Sequence, residues 1–299
     1  MAINKRWLVH KFDYVNKKLM YQNNPITGLK EPVYWDEADV NAFVDTEFGD
    51  NTTGNGTAAK PWKTLNKVAA SGSNYWGTGK VIMIRGFNDS PLTINAAVRI
   101  VGAGGGICGR AVLANMNITV NNVYLDNLHI PSNGNNLFTP ISNAITIYAY
   151  NCLWLIPRYS IAGYQTVNLY YYYCILYTPY SYTIWEIIYK VYGNNNTIYK
   201  AYGSASVIYW HFYGDNNHFS ATVDQPYTSY GNKNLYSYAA ALEYLSPENY
   251  NFNFLNTSTS LLYRTGTYNA DTDSYNHRGA GTEGNNLNAS NDELNERRA

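Results

Sequence analysis

The chain of 299 residues carries 21 Lys and Arg against 21 Asp and Glu, so no net field draws it to nucleic acid or to an anionic membrane. With 45% hydrophobic residues it can bury a sizeable core, yet no run approaches the ~18 apolar residues of a membrane span. Its 31 tyrosines and abundant asparagines favour strands and turns.

At the start, MAINKRWLVHKFDYV puts Lys5, Arg6, His10, Lys11 and Asp13 where a secretion signal requires an apolar stretch, so no such signal is expected. Residues 1–40 have little core of their own and read as an arm or anchor. Next comes DTEFGDNTTGNGTAAKPWKTLNKVAA (45–70), a Gly/Asp/Asn-rich turn leading into a short amphipathic helix. From about residue 80 to 225 strand-like runs recur, among them KVIMIRGF, NITVNNVYLDNLHI, AITIYAYNCLWLI, QTVNLYYYYCILYT, IWEIIYKVYG and ASVIYWHFYG. Setting NCLWLI beneath YCILYT places Cys152 over Cys174, a spacing of 22. A repeat of this size signals a solenoid. Neither a 3.6-residue apolar stripe nor leucine-rich spacing is present, so the fold class is all-β, a parallel β-helix whose successive coils stack ~4.8 Å apart. The domains are an arm at 1–40, the β-helix at 41–225, and a C-terminal wrap and polar tail at 226–299.

Within RIVGAGGGICG (99–109), Gly104, Gly106 and Gly109 match a dinucleotide fingerprint in spacing, with Asp126 beyond. That motif requires a helix to open at its third glycine. The residues that follow are strand-like, so the glycines read as a tight turn between strands, and no cofactor is expected.

Both ends of this region carry a resemblance. Gly56, Thr57, Pro61, Trp62, Thr64 and Leu65 are similar to the opening motif of right-handed β-helix proteins of the pectate-lyase-like superfamily, in which the short helix caps the first coil. Pro247, Phe252 to Leu255 and Gly279-Ala280 resemble its closing segment, with Ser260-Leu261 where Ser-Pro is usual. The resemblance spans roughly residues 41 to 280 and implies a right-handed solenoid with a capping helix and an extended C-terminal wrap. Both motifs are structural, so it implies fold and hardly any activity.

Polysaccharide-cleaving members need clustered ionisable groups on one outer face. Between Asp126 and Glu186 the only Asp, Glu, Lys or Arg is Arg158, so the middle coils, where such enzymes usually carry their sites, are barren. The remaining weak catalytic candidates are Glu186, Lys190 and Asp215, with Lys200, His211 and His218 nearby in sequence. NADTDS (269–274) alternates acidic residues but lacks the glycine and distal glutamate of a calcium loop, so no metal is expected. Cys108, Cys152 and Cys174 are in no ligand spacing and read as buried small residues. His129 likewise shows no ligand spacing.

Seventeen tyrosines fall between Tyr148 and Tyr213. Strand alternation predicts that the run Tyr170 to Tyr173 sends about two rings inward and two outward. Tyr148, Tyr150, Tyr170, Tyr171, Tyr172, Tyr173, Tyr189 and Tyr209 are the candidate glycan-binding or interface aromatics, although a register slip of one residue would invert the faces. Flat rings with hydroxyl tips suit sugar stacking and also suit protein interfaces. The resulting expectation is a non-enzymatic structural or adhesive protein of a virion, resembling bacteriophage fibres and spikes in architecture. Homo-oligomers (a trimer is one form), other virion proteins and a surface glycan are its expected partners. The alternatives are a β-helix lyase or hydrolase and an extracellular, cell-surface adhesin.

Overall fold

The computed structural model describes residues 7–106, 109–131, 137–138, 144–155, 165–178, 187–194, 196–200, 208–214 and 217–221, and the strands at 227–229, 235–238, 244–246, 251–254, 267–269 and 274–276. In many of the later strands only the backbone is described.

The described chain is mostly strand, organised in parallel sheets. A nine-stranded sheet runs in space from Ala42–Asp45 through Val81–Arg85, Arg99–Gly102, Val123–Asp126, Ala144–Tyr150, Gln165–Tyr172, Ile187–Tyr192 and Ile208–Phe212 to Tyr227–Ser229. An eight-stranded sheet runs from Phe87–Asn88 through Ala111–Leu113, Leu128–Ile130, Leu153–Leu155, Ile175–Thr178, Thr197–Lys200 and His218–Ala221 to Leu235–Tyr238. Pairing inside both is parallel throughout. From Val81 onward the chain visits the two sheets alternately, so each pass adds one strand to each. A third parallel sheet of three strands, Leu92–Ile94, Met116–Ile118 and Leu137–Phe138, joins the early passes. The sheets continue past residue 225, where sequence placed the start of the C-terminal wrap, because the strands at 227–229 and 235–238 still pair in register. Beyond residue 238 two antiparallel hairpins are described, Tyr244–Ser246 with Asn251–Phe254 and Thr267–Asn269 with Ser274–Asn276.

The repeat read from the cysteines is the register observed. Leu153 pairs with Ile175 one pass later, which sets Cys152 beside Cys174, and the Cys152 amide lies 3.5 Å from the Cys174 sulfur across 22 residues. Both thiols are fully buried. Ile82, Ile100, Leu113, Leu125, Leu128 and Ile147 form the interior with them, one residue in two along each strand as period-2 alternation requires.

The opening motif builds the first end of this core. Trp62 is buried and donates its indole N–H to the Gly54 carbonyl at 2.9 Å. Gly56 sits at φ 76°, and a Cβ there would meet the Trp62 ring 2.7 Å away, so glycine is required. The predicted helix is present at Leu65–Ala70, where the Thr64 hydroxyl accepts from the Lys67 amide and Leu65 and Val68 face the core. Gly104, Gly105 and Gly109 all adopt positive φ, and the strand Ala111–Leu113 follows where a dinucleotide motif would need a helix.

Corners between the two large sheets are held by buried amides. Asn127 and Asn151 adopt φ of 54° and 51°, the left-handed region that asparagine tolerates best after glycine. The Asn127 amide donates to the Gly102 carbonyl at 2.7 Å and the Asn151 amide to Asn127 Oδ1 at 2.9 Å. Higher up, Asn196 donates to Asn217 Oδ1 at 3.0 Å and to the Tyr171 carbonyl at 2.8 Å, and Asn217 donates to the Gly193 carbonyl at 2.9 Å. Each buried amide thereby bonds the neighbouring pass.

Gly193 is the tightest point of this corner, at φ 148°, with the Tyr171 carbonyl occupying the place of a Cβ. Gly193→Ala should lower unfolding stability by about 2–4 kcal/mol. Gly28→Ala, at φ 70° in open space, should cost only about 1 kcal/mol. Urea unfolding followed by circular dichroism compares the two, and equal midpoints would contradict the packing described.

Candidate functional site

The outer face of the nine-stranded sheet carries a continuous ladder of tyrosine rings. Tyr124 pairs in register with Tyr148, Tyr148 with Tyr170 and Tyr170 with Tyr192, and Tyr213 follows Phe212, the partner of Val191. Consecutive ring centroids are 4.5, 4.8, 4.7 and 4.7 Å apart, with interplanar angles of 12°, 21°, 14° and 14°. The spacing equals that of parallel strands, so each ring lies flat on the next.

The four-tyrosine run divides differently from strict alternation. Tyr171 points inward and is 1% exposed in the core, while Tyr170 and Tyr172 point outward. Tyr173 leaves the strand at φ 56°, which turns its ring back edge-on to Tyr150, with centroids 6.0 Å apart. One ring is therefore internal instead of two, because the corner interrupts the alternation. Tyr148 and Tyr170 belong to the ladder. Tyr150 and Tyr172 form a second outward column and are each 3% exposed. Tyr189 and Tyr209 pair with Trp210 and Ile188, and their side chains lie outside the described residues.

Residues 7–40 cover this second column. Phe12 stacks on Tyr150 with centroids 4.3 Å apart and planes at 9°, and its ring is 5.2 Å from that of Tyr172. Tyr14 meets Tyr124, Tyr148 and Tyr172 edge to face at 5.3, 5.8 and 6.1 Å. The arm is built of two short hairpins, Phe12–Asp13 against Lys18–Leu19 and Tyr21–Asn23 against Lys30–Pro32, each too short to persist alone, so docking adds to their stability. Burying Phe12 contributes about 1.5–3 kcal/mol and each ring pair about 0.5–1.5 kcal/mol.

An ionic contact fastens the arm. The buried Asp126 carboxylate accepts from the Tyr14 hydroxyl at 2.5 Å and from Arg99 Nε at 2.7 Å, while Arg99 Nη2 also donates to the Phe12 carbonyl at 3.0 Å. The Arg99 guanidinium lies between the Trp35 and Tyr14 rings, 4.7 and 5.1 Å from their centroids. Burial and the Asp126 charge push the Tyr14 phenol well above its ordinary range. Burial alone would lower the Arg99 pKa, but the Asp126 carboxylate together with the Tyr14 and Tyr124 phenols carries it above its usual value. Burial, then the neighbouring Tyr170 and Tyr148, push Tyr172 up to about 12. Burial also raises Tyr148 and Tyr192, so the Tyr14, Tyr148, Tyr172 and Tyr192 phenols stay protonated near neutrality.

None of Phe12, Tyr14, Arg99 and Asp126 was singled out as a site from sequence, since the hydrogen bonds joining them span 27 to 112 residues. A readable signal did exist for the ladder: aligned in register, VYLD, IYAY, LYYY, VYGN and FYGD share a tyrosine at their second position.

Among the weak catalytic candidates, Glu186 and Asp215 lie outside the described residues. Lys190 is half-buried in register with Asn168 and His211. Of the accompanying candidates, Lys200, His211 and His218 are described only as backbone, and Arg158, Cys108 and residues 270–273 of NADTDS fall outside. Among the described residues no group of His, Cys, Asp and Glu could hold a metal ion, and no helix is long and apolar enough to cross a membrane. Comparison with protein-family models, with curated proteins and with solved structures returns no match to this chain.

A second buried polar cluster lies in the eight-stranded sheet and its approach. Arg110 is 1% exposed and donates to the Asn151 carbonyl and Oδ1 at 2.7 and 2.6 Å. His129 is fully buried, and burial, then the Arg110 charge, bring its pKa down from 6.5 to about 4.

Asp126→Asn should weaken arm docking by about 3 kcal/mol, because it strips a buried guanidinium of its counter-charge. Tyr14→Phe, which removes one hydrogen bond to that carboxylate, should cost about 1.5–3 kcal/mol. Faster amide exchange across residues 9–35, with the sheet strands unchanged, is the expected readout, and unaltered exchange in both variants would contradict the latch.

His129 also gives a pH signature. The unfolded chain takes up its proton near pH 6.5 and the folded one only near 4, so acidification favours unfolding across that window. Roughly 3 kcal/mol is lost between those limits, and His129→Leu should remove that share. Melting temperatures of the two proteins across the window measure the difference, and parallel pH profiles would contradict it.

Proposed function

We propose that the chain is a right-handed parallel β-helix serving as a non-enzymatic structural component of a virion, of the bacteriophage fibre or spike kind. The arm at 1–40 and the aromatic face would make its contacts with sister subunits and other virion proteins. The observation that carries this reading is the use of the outer face. Its rings are spent on one another and on the arm, and the ionisable groups Arg99, Asp126 and Tyr14 are bound into the latch instead of facing a substrate. The opening-motif resemblance and the parallel pairing every 21 to 22 residues around the buried Cys152, Cys174 and Asn196 support the fold part.

Sugar stacking needs free ring faces, and a flat-stacked ladder presents mostly edges and hydroxyls. Assembly is therefore favoured over glycan attachment as the work of this face, and glycan binding would fall to aromatics elsewhere.

Quantitative mass spectrometry of particles purified on a density gradient tests the reading. A fixed copy number relative to capsid protein is expected. The reading fails if the chain is confined to the soluble fraction and cleaves polysaccharide in a manner abolished by Glu186→Gln, Lys190→Met and Asp215→Asn together.

A further inference from the structure

Cys152 and Cys174 occupy equivalent places on successive passes. Tyr150 pairs in register with Tyr172 and Leu153 with Ile175, so the cysteines between those pairs lie one directly above the other. Both side chains point into the core and are fully buried there. The contacts of the sulfurs are weak ones. The Cys152 thiol donates to the Leu125 carbonyl at 3.2 Å, the Cys174 thiol donates to the Tyr172 carbonyl at 3.4 Å, and the Cys152 amide lies 3.5 Å from the Cys174 sulfur. We propose that Cys152 and Cys174 form a redox-sensitive cross-link site, closing to a disulfide between two passes of the sheets when the chain meets a small-molecule disulfide. The link does not depend on the virion reading above.

The register supplies the geometry. A disulfide needs Cα atoms ~4.4–6.8 Å apart and Cβ vectors that do not diverge. In-register parallel strands lie ~4.7–4.9 Å apart, and two side chains that enter one core are aligned. Alignment also holds the Cβ atoms near the strand spacing, slightly beyond the ~3.5–4.5 Å of a relaxed disulfide, so the passes must draw together as the bond closes. Such a bond is strained and easily reduced, which suits a reversible link.

The exchange balances with the two thiols and the small disulfide alone. One cysteine thiolate attacks a sulfur of the reagent, forming a mixed disulfide and expelling one small thiolate. The second cysteine thiolate then attacks the cysteine sulfur of that mixed disulfide and expels the other. The two cysteine protons end on the expelled thiolates, so the protein loses two hydrogens with their electrons and the reagent is reduced to two thiols. Burial, then the neighbouring Cys174, pushes the Cys152 thiol well above its ordinary range, so its thiolate forms chiefly before these passes close or when they open. The bond also lies behind the arm's platform. Each cysteine follows by two residues a tyrosine that the Phe12 ring meets, Tyr150 and Tyr172, so closing it ties together the two strands on which that ring rests.

Folding the full chain from urea in a buffer of oxidised and reduced glutathione, followed by alkylation and tryptic mapping without reduction, is the test. Cleavage after Arg110, Arg158 and Lys190 puts the two cysteines in different peptides, 111–158 and 159–190. The expected product is those peptides joined, lighter by two hydrogens than their sum. Because the bond closes a loop across 22 residues, the urea midpoint should rise by about 1 M over the reduced chain and return with dithiothreitol. Protein already folded should acquire the same link more slowly. Cys108→Ser should keep the link, whereas Cys174→Ala should abolish both the link and the redox dependence of the midpoint. Free, alkylated thiols at both positions after folding in the oxidised buffer overturn the proposal, as does a bond from either cysteine to Cys108 in place of the other. A linked chain whose circular dichroism departs from that of the reduced protein overturns it as well, because that bond belongs to a different register. A link that leaves the midpoint unmoved removes its role in holding the passes together.

Discussion

In-register stacking of each residue on its counterpart one pass away is the constraint on which the rest of the molecule depends. Parallel strands lie 4.7–4.9 Å apart, so any side chain must tolerate a near copy of its own environment above and below. The column of Leu125, Ala149, Tyr171, Gly193 and Gly214 shows how a large ring enters such a column. Tyr171 is internal, and the next two members are glycines whose missing Cβ atoms make room for the backbone beneath. The buried amides obey the same rule. An amide carries a donor and an acceptor, so it can give to one pass and receive from another, as Asn196 does between Asn217 and the Cys174 amide.

The outer ladder follows from that constraint without being required by it. Any residue repeated at an outward position will stack on itself, and for phenol rings the strand spacing is also the distance at which offset rings attract. Five such rings stiffen the face and at the same time consume its π surfaces. This is why the aromatic density of the sequence, which suggests carbohydrate binding when only composition is considered, acquires a different meaning once the rings are seen face to face. The arm meets the ladder edge to face through Tyr14, while Phe12 stacks flat on Tyr150 in the neighbouring column.

Much of the scaffold was legible in the sequence because its signals are local. The cysteine spacing of 22 gave the register, the Gly-Thr and Pro-Trp residues of 56–62 gave the first turn, and Thr64 with Leu65 gave the helix. The division of the tyrosine run was legible only in part, since alternation holds inside a strand and fails at Tyr173, where the corner imposes positive φ. The face itself was not legible. Its arm contacts join residues as far as 112 apart, and the charges that fasten it, Arg99 and Asp126, look like isolated surface charges until the arm is placed over them. Composition likewise marked residues 1–40 as poor in core, which ceases to matter once Phe12 borrows its core from Tyr150 and Tyr172.

A periodic surface poses a problem of its own, and the latch answers it. Phe12 sits on a column whose only described tyrosines are Tyr150 and Tyr172, but Tyr14, which meets Tyr124 and Tyr148, could slide by one strand onto Tyr148 and Tyr170 at nearly the same geometry, so ring contacts leave its position degenerate. Asp126 breaks that degeneracy. It stands in the column that continues as Tyr150 and Tyr172, and among the described members of that column it is the only acid. A slip of one strand would carry the Tyr14 hydroxyl away from Asp126 and the Phe12 carbonyl away from Arg99, leaving a buried pair with lost hydrogen bonds at a cost that no ring stack of about 0.5–1.5 kcal/mol can offset. The ring contacts thus supply most of the affinity, and the single ion pair adds register where the ladder under Tyr14 supplies none, which is the role for which buried charge is best suited. The arm therefore stops at one height, set by the Asp126 carboxylate beneath Tyr14 and by the Tyr150 and Tyr172 pair beneath Phe12.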